Sequence, residues 1–331
     1  MARETPLARH WTRRSLLQLA LALFDSGSTR AQQAGRVFRL GCLFSAPKNA
    51  PHQVALAEGL RHSGFIEGQN LSLDQGGYGL RLDQFDEHAA ELVRSGVDVI
   101  LAGGDPAVRA AQRATNTIPI LALTDDLLGQ GFVRSLAKPG GNTTGVTILA
   151  SQLDGKRQDL LIQTLPNMRQ IAGLADSNTT SPLHLNTLNE SARAHGVELS
   201  VYPVSRVKEI VPAINQAHAS GAKGLNVLAS ALFFNNRTII FDRAMELGLP
   251  AIYQWPEMVD EGGLMGYGPS IVQLYRDVQT RQLVAILNGT KPADIPVEQP
   301  TKFELVINLA TAKALGLSLP PGVLFDRVIE Q

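Results

Sequence analysis

The chain has 331 residues, about twice the roughly 150 of a typical single domain, so two packed domains are the starting expectation. Lys plus Arg and Asp plus Glu balance at 30 each, which leaves no net field to draw in nucleic acid or an anionic membrane. An apolar content of 44% excludes a disordered chain, and a single cysteine, Cys42, excludes an internal disulfide.

In chain order, Arg13 and Arg14 precede an apolar run, "LLQLALALF" at 16–24. That run is shorter than the roughly 20 residues a membrane-spanning helix needs. With a small-residue exit ending at Ala31, residues 1–31 read as an export signal, either general or twin-arginine. From Val37 apolar runs of strand length alternate with amphipathic runs of helix length. "VFRLGCLF" (37–44), "LSLDQ" (71–75), "VDVILAG" (97–103) and "IPILAL" (118–123) are strands, and 54–62 and 82–94 are helices. Asp105 is placed to cap a further helix, with Pro106 at its first position. The βαβ series predicts a parallel sheet with right-handed crossovers.

A second series follows Leu153. Its strands are "IAGLAD" (171–176), "VELSVYPV" (197–204), "GLNVLAS" (224–230) and "AIYQW" (251–255), separated by helices over 182–195, 207–220 and 235–247. The stretches 95–123 and 220–254 echo each other: a Ser-Gly turn, a buried strand, a polar loop, a helix, then a short strand entered through proline. Two similar α/β lobes follow. A long helix over 271–287 and a proline-rich crossing, "KPADIPVEQP" (291–300), precede a late strand, "TKFELVIN", and a short helix over 309–315. "AKPGGNTTGVT" (137–147) lies where the first series ends, and reads as the approach to a hinge.

No G-x-S-x-G, phosphate-loop or H-E-x-x-H motif is present, the seven histidines are scattered and read as solvated, and no metal or cofactor is expected. Ligands of an open parallel sheet bind beyond the carboxyl ends of its strands. The loops there supply the candidate binding residues: Ser45, Gly103, Gly104, Asp105, Thr124 and Asp126 in the first lobe, and Asn178, Phe233, Tyr253, Trp255 and Glu257 in the second. The helix start at Asp105 suits an anion, while Asp126 is assigned to a ligand cation. Asp125 is assigned to solvent and Phe234 to packing of its helix. Tyr253 and Trp255 offer rings to an aromatic or apolar ligand.

The stretches "GFIEGQN", "AAELVRSGVDVILAGG", "TIPILAL", "GFVRSLAKPGGNTTGV", "GLPAIYQWPEMVDEGGLMGYG" and "KPADIPVEQPTKFELVINLATAKALGL" resemble the substrate-binding proteins of bacterial ABC transporters, of the tryptophan/tyrosine-binding type. The resemblance implies a type I periplasmic-binding fold: residues 36–149 plus 269–293 in one lobe, 150–268 plus 297–331 in the other, and a multi-strand hinge. It further implies a periplasmic, monomeric protein that closes on a small molecule, such as an aromatic amino acid or a related compound, and delivers it to a membrane permease. A sensor handing its ligand to a membrane receptor, and an enzyme on the same scaffold, are the alternatives. The sequence departs from the family at Asp126-Leu127-Leu128, where Asp-Pro-Val is usual, at "GGYG", and at Ala231, where an acid is usual.

Overall fold

The computed structural model describes residues 35–165, 167–320 and 322–330. The export-signal reading of residues 1–31 lies outside them. Among the described residues no helix is long and apolar enough to cross a membrane.

The first sheet takes β1 (Phe38–Leu43), β2 (Leu71–Leu73), β3 (Val99–Gly103), β4 (Ile120–Thr124) and β5 (Thr143–Thr147) in the spatial order β2-β1-β3-β4-β5. All its pairings are parallel. α1 (Pro51–His62), α2 (Phe85–Ser95) and α3 (Asp105–Ala114) make the crossovers. β3 and β4 are apolar on both faces because both faces are covered. Ile100, Ala102, Ile120 and Ala122 pack toward α2 and α3, while Leu101, Leu121 and Leu123 pack toward α1.

The second sheet repeats the same order. β6 (Gln170–Asp176), β7 (Glu198–Val204), β8 (Leu225–Val227), β9 (Ala251–Tyr253) and β10 (Met265–Gly268) run β7-β6-β8-β9-β10, and β11 (Glu304–Asn308) and β12 (Arg327–Ile329) extend the far edge. The internal echo of the sequence is therefore a repeat of strand order, with β3–β4 matching β8–β9. The expectation of purely parallel sheets holds for the first lobe. In the second, β11 runs antiparallel to β10, Met265 opposite Ile307, because the chain returns from the first lobe against the strand it left. α4 (Ala150–Thr164), β10 and β12 had no assignment from the sequence. The expected helix over 235–247 is α8 (Arg237–Glu246), and the preceding stretch, read as a loop, holds a separate short helix, α7 (Ala231–Asn235). α5 (Pro182–Ala194), α6 (Val207–Ala219) and α9 (Pro256–Asp260) complete the second lobe's layers.

Three segments cross between the sheets. The first leaves β5 and enters α4 through Leu149, whose φ of 57° is left-handed, a conformation that costs an L-residue roughly 1–2 kcal/mol. The second leaves β10 for α10 (Ile271–Gln273), which continues through a π-helical stretch (Leu274–Gln279) into α11 (Thr280–Leu287). This helix packs on α1, and the backbones meet at Gly59, where an added Cβ would strike the Thr280 hydroxyl. The third is the expected proline-rich crossing. It lies along β5: Thr144 Oγ1 donates to the Ile295 carbonyl (2.7 Å), Glu298 N–H donates to the Gly145 carbonyl (2.9 Å), and Gln279 Nε2 braces the helix to the Ala122 carbonyl (2.7 Å). Gly145 has φ of 143° and no room for a side chain, since a Cβ there would run into the Ala122 carbonyl. After β11 the chain forms α12 (Leu309–Ala314).

Candidate functional site

Both sheets have their topological switch at corresponding places, between β1 and β3 and between β6 and β8. Loops leaving the carboxyl ends there diverge and leave a crevice. The two crevices face each other, and together they enclose a cavity of about 670 Å³ lined by residues of both lobes. The lobes touch across it. Asn235 Nδ2 donates to Ser45 Oγ (2.6 Å), the His52 and Phe234 rings lie 5.7 Å apart, and a Cβ added to Gly104 would sit 3.2 Å from the Ala231 methyl carbon. Gly104 has φ of 87°, which favours glycine at this close approach.

Of the residues expected from the sequence, Ser45, Gly103, Gly104, Asp105, Thr124 and Trp255 line the cavity. Five do not. Asp126 folds back on its own turn, its Oδ1 accepting from Gly129 N–H (2.8 Å), and Asp125, assigned to solvent, lines the cavity instead. Phe233 is buried in the core, where its N–H donates to the Ser230 hydroxyl that caps α7. Phe234, assigned to packing, faces the cavity, because successive residues of a helical turn point about 100° apart. Tyr253 is buried against Phe241, edge to face at 4.8 Å. Asn178 is exposed, off the cavity, and donates to the Asp176 carboxylate (2.9 Å) and the Ser205 carbonyl (3.1 Å). Glu257 lies in a side pocket of about 240 Å³, where its Oε1 accepts from the Ser270 hydroxyl (2.5 Å).

Three carboxylates define the polar end of the cavity: Asp105, Asp125 and Asp176. Asp105 is 3% exposed; it accepts from the Thr124 hydroxyl, and its other oxygen, Oδ2, has no partner among the described residues. Burial pushes its pKa up to about 7, opposed by the Asp125 N–H and Arg109. Burial, then Asp105, Asp154 and Asp176, hold the Asp125 carboxyl well above the ordinary range. Burial likewise raises Asp176, offset by Asn178 and Ser230. The α3 start, expected to suit an anion, is thus occupied by the protein's own acids, and this end of the cavity suits a cation. Arg81 and Arg206 also border the cavity but are engaged by Asp83 and Glu209.

Much of the remaining wall is aromatic, beside aliphatic residues such as Leu80, Leu123, Ile148 and Ile271. Phe44, Tyr275, His52, Phe234 and Trp255 of the wall, with Tyr78 stacked on Phe44 outside it, form a chain of ring contacts from one lobe to the other, with centroid separations between 4.9 and 6.4 Å. Arg237 lies over the Phe234 ring at 4.9 Å and is held by Glu261. His52, read as solvated from the sequence, is 3% exposed. Its position as the second residue of α1, just beyond the end of β1, was the available signal.

Behind the second-lobe wall lies a buried ion pair, Asp154 with Arg157, both without solvent exposure. Arg157 Nε donates to the Tyr267 carbonyl (2.7 Å) and Nη2 to the Gln254 carbonyl (3.3 Å), while Asp154 Oδ1 accepts from Ala229 N–H (3.0 Å). The pair so ties the cavity loops at Ala229 and Gln254 to β10, just before the second crossing.

The sequence profile of ABC transporter substrate binding proteins matches residues 47–327. A tyrosine-binding protein of Clostridioides difficile (strain R20291) is 28% identical over 265 residues, 78% of this chain and 74% of that protein. An ABC domain from Streptococcus pneumonia, solved in complex with L-Trp, superposes with a TM-score of 0.78 at 23% identity, covering 88% of this chain and all of that one. A substrate binding protein with adhesive properties from Clostridium difficile, solved ligand-free and open, gives 0.61 at 23% identity, covering 89% of this chain and 100% of that one. With its two α/β lobes, its interlobe cavity and a family match across nearly all the described residues, the chain belongs to the ABC transporter substrate-binding proteins and has the type I periplasmic-binding fold.

Proposed function

We propose that the chain is the exported, periplasmic solute-binding component of an ABC importer. It takes up a small ligand with an aromatic or apolar body and a cationic nitrogen, an aromatic amino acid or a related compound, and delivers it to a membrane permease. The observation that carries this reading is the cavity itself, three inward carboxylates at one end and rings from both lobes along the rest. Buried carboxylates favour an ammonium group that replaces their lost water. The relatives named for tyrosine and solved with L-Trp support the aromatic half of the reading.

The protein performs no chemical step in this scheme and acts as a monomer. A ligand touching both walls stabilises the closed arrangement, and only that differential affinity shifts the equilibrium. The higher TM-score against the L-Trp complex than against the open, ligand-free structure supports reading the present arrangement as closed. We place the lobe boundaries at 36–149 plus 269–293 and 150–268 plus 297–331, with the three crossings as hinge.

Small-angle scattering with and without L-tryptophan or L-tyrosine tests the scheme. The expected result is a smaller radius of gyration on binding. In Gly104→Ala, the added methyl meets Ala231 only when the lobes close, so the variant is expected to bind several-fold more weakly and to stay more open. A ligand that binds without changing the scattering curve would overturn the closure mechanism.

A further inference from the structure

Two polar rings pack side by side in the first-lobe wall. His52, at the start of α1, and Tyr275, in the π-helical stretch, are each 3% exposed and each line the cavity, with ring centroids 4.9 Å apart. Among the described residues neither the imidazole nor the phenol hydroxyl has a hydrogen-bond partner. Because both line the cavity, their donor and acceptor are available to a ligand that enters it. Around them the wall is aromatic, with Phe44 6.4 Å from Tyr275 and Phe234 5.7 Å from His52.

Their chemistry narrows that partner. Burial, then Arg237, lowers the His52 pKa to about 4, so near neutral pH the ring is uncharged, one nitrogen donating and the other accepting. Burial raises Tyr275, which keeps its proton. The neighbouring cation, Arg237, is already held by Glu261 and the Phe234 carbonyl. The pair therefore offers a donor and an acceptor with no net charge. A hydroxyl on a flat ring uses both, an indole N–H uses the acceptor alone, and a plain phenyl ring uses neither. We infer that His52 and Tyr275 together read a hydroxyl on the ring of the ligand, so that the cavity selects phenolic ligands. This rests on the aromatic-ligand reading above and specifies it.

Titration calorimetry with L-tyrosine, L-phenylalanine and L-tryptophan, on wild type, Tyr275→Phe and His52→Leu, tests it. A site built to hydrogen-bond a hydroxyl strongly rejects the analogue that lacks it. Wild type is expected to bind tyrosine at least about 30-fold more tightly than phenylalanine. Each variant is expected to cut that ratio below about fivefold while changing phenylalanine affinity by less than about threefold. Tyr275→Phe keeps the ring and its packing, so it separates the hydroxyl from a structural role. Wild-type affinities for tyrosine and phenylalanine within threefold of each other would overturn the inference, as would variants that weaken both amino acids equally. Binding led by tryptophan would overturn it while leaving the aromatic-ligand reading standing. Failure of all three to bind would overturn both.

Discussion

The two walls of the cavity are charged in opposite senses of use. On the first-lobe wall, Asp105 and Asp125 face the cavity, and Asp105 keeps an oxygen unpaired. On the second, the strongest charges lie behind the wall, where Asp154 and Arg157 neutralise each other and grip the backbone at Ala229, Gln254 and Tyr267. One wall leaves its charge for a ligand; the other uses charge as internal framing. Asp176 is the second wall's contribution to the first kind, and even it accepts a hydrogen bond from Asn178. A buried charge is tolerable only with a counter-charge or hydrogen bonds, so on the proposed reading the open acids are the groups a ligand would complete.

This contrast can be broken most severely from the framing side. Asp154→Ala leaves Arg157 buried and unpaired, and should cost about 3–5 kcal/mol of stability in urea denaturation. A double change, Asp154→Leu with Arg157→Met, should recover most of that loss, because removing both charges removes the desolvation penalty as well. On the ligand side the effect is in affinity. Asp105→Asn should weaken an ammonium ligand by at least about tenfold, a charge-assisted bond being worth roughly 1.5–3 kcal/mol, while Asp126→Asn should change it by less than about twofold. Equal effects at the two positions would erase the distinction drawn between the cavity acids and the turn acid.

The smallest effect is a dependence on pH. Asp105 is held at about 7 against an ordinary 3.8. Between those values the folded state keeps a proton that the unfolded chain has released, so this group makes the free protein less stable as pH rises from about 4 through 7. An ammonium ligand needs the carboxylate, so its affinity runs the other way. Between pH 5.5 and 8 the thermal midpoint of the free protein should fall slightly, while affinity for an ammonium ligand rises by up to about tenfold. Calorimetry in buffers of different ionisation heat should show proton release near pH 6. Affinity that is flat across this range would remove Asp105 from the ligand contact.

Much of the fold was legible because it is written in period and punctuation. The strands of both series are apolar runs bounded by Gly, Pro and Asn, and the echo between 95–123 and 220–254 foretold the repeated strand order. β12 was not legible: three residues at the edge of a sheet carry no pattern of their own and are defined by pairing with β11. The site was legible by loop and not by side chain. Six cavity loops were identified and those at 80–83 and 205–207 were not, and within the identified loops the sequence pointed to Asp126 over Asp125, Phe233 over Phe234 and Asn178 over Asp176. These differences fall one or two residues apart within a loop, where backbone direction at the end of a strand or helical turn sets which side chain faces the cavity. His52 and Tyr275 were missed for another reason: both come from helices, and only the packing of α1 against the second crossing brings them together.

The π-helical stretch at Leu274–Gln279 explains how that one helix serves two masters. A wide turn shifts the phase of everything after it relative to everything before. Tyr275 near its start faces the cavity, while Gln279 at its end and Gln282 beyond it donate to the carbonyls of Ala122 and Gly145. An unbroken α-helix of the same span, advancing 100° at every residue, would hold one of these orientations and lose the other. The offset lets a single helix present Tyr275 to the cavity at one phase and two glutamines to the backbone of the first sheet at another.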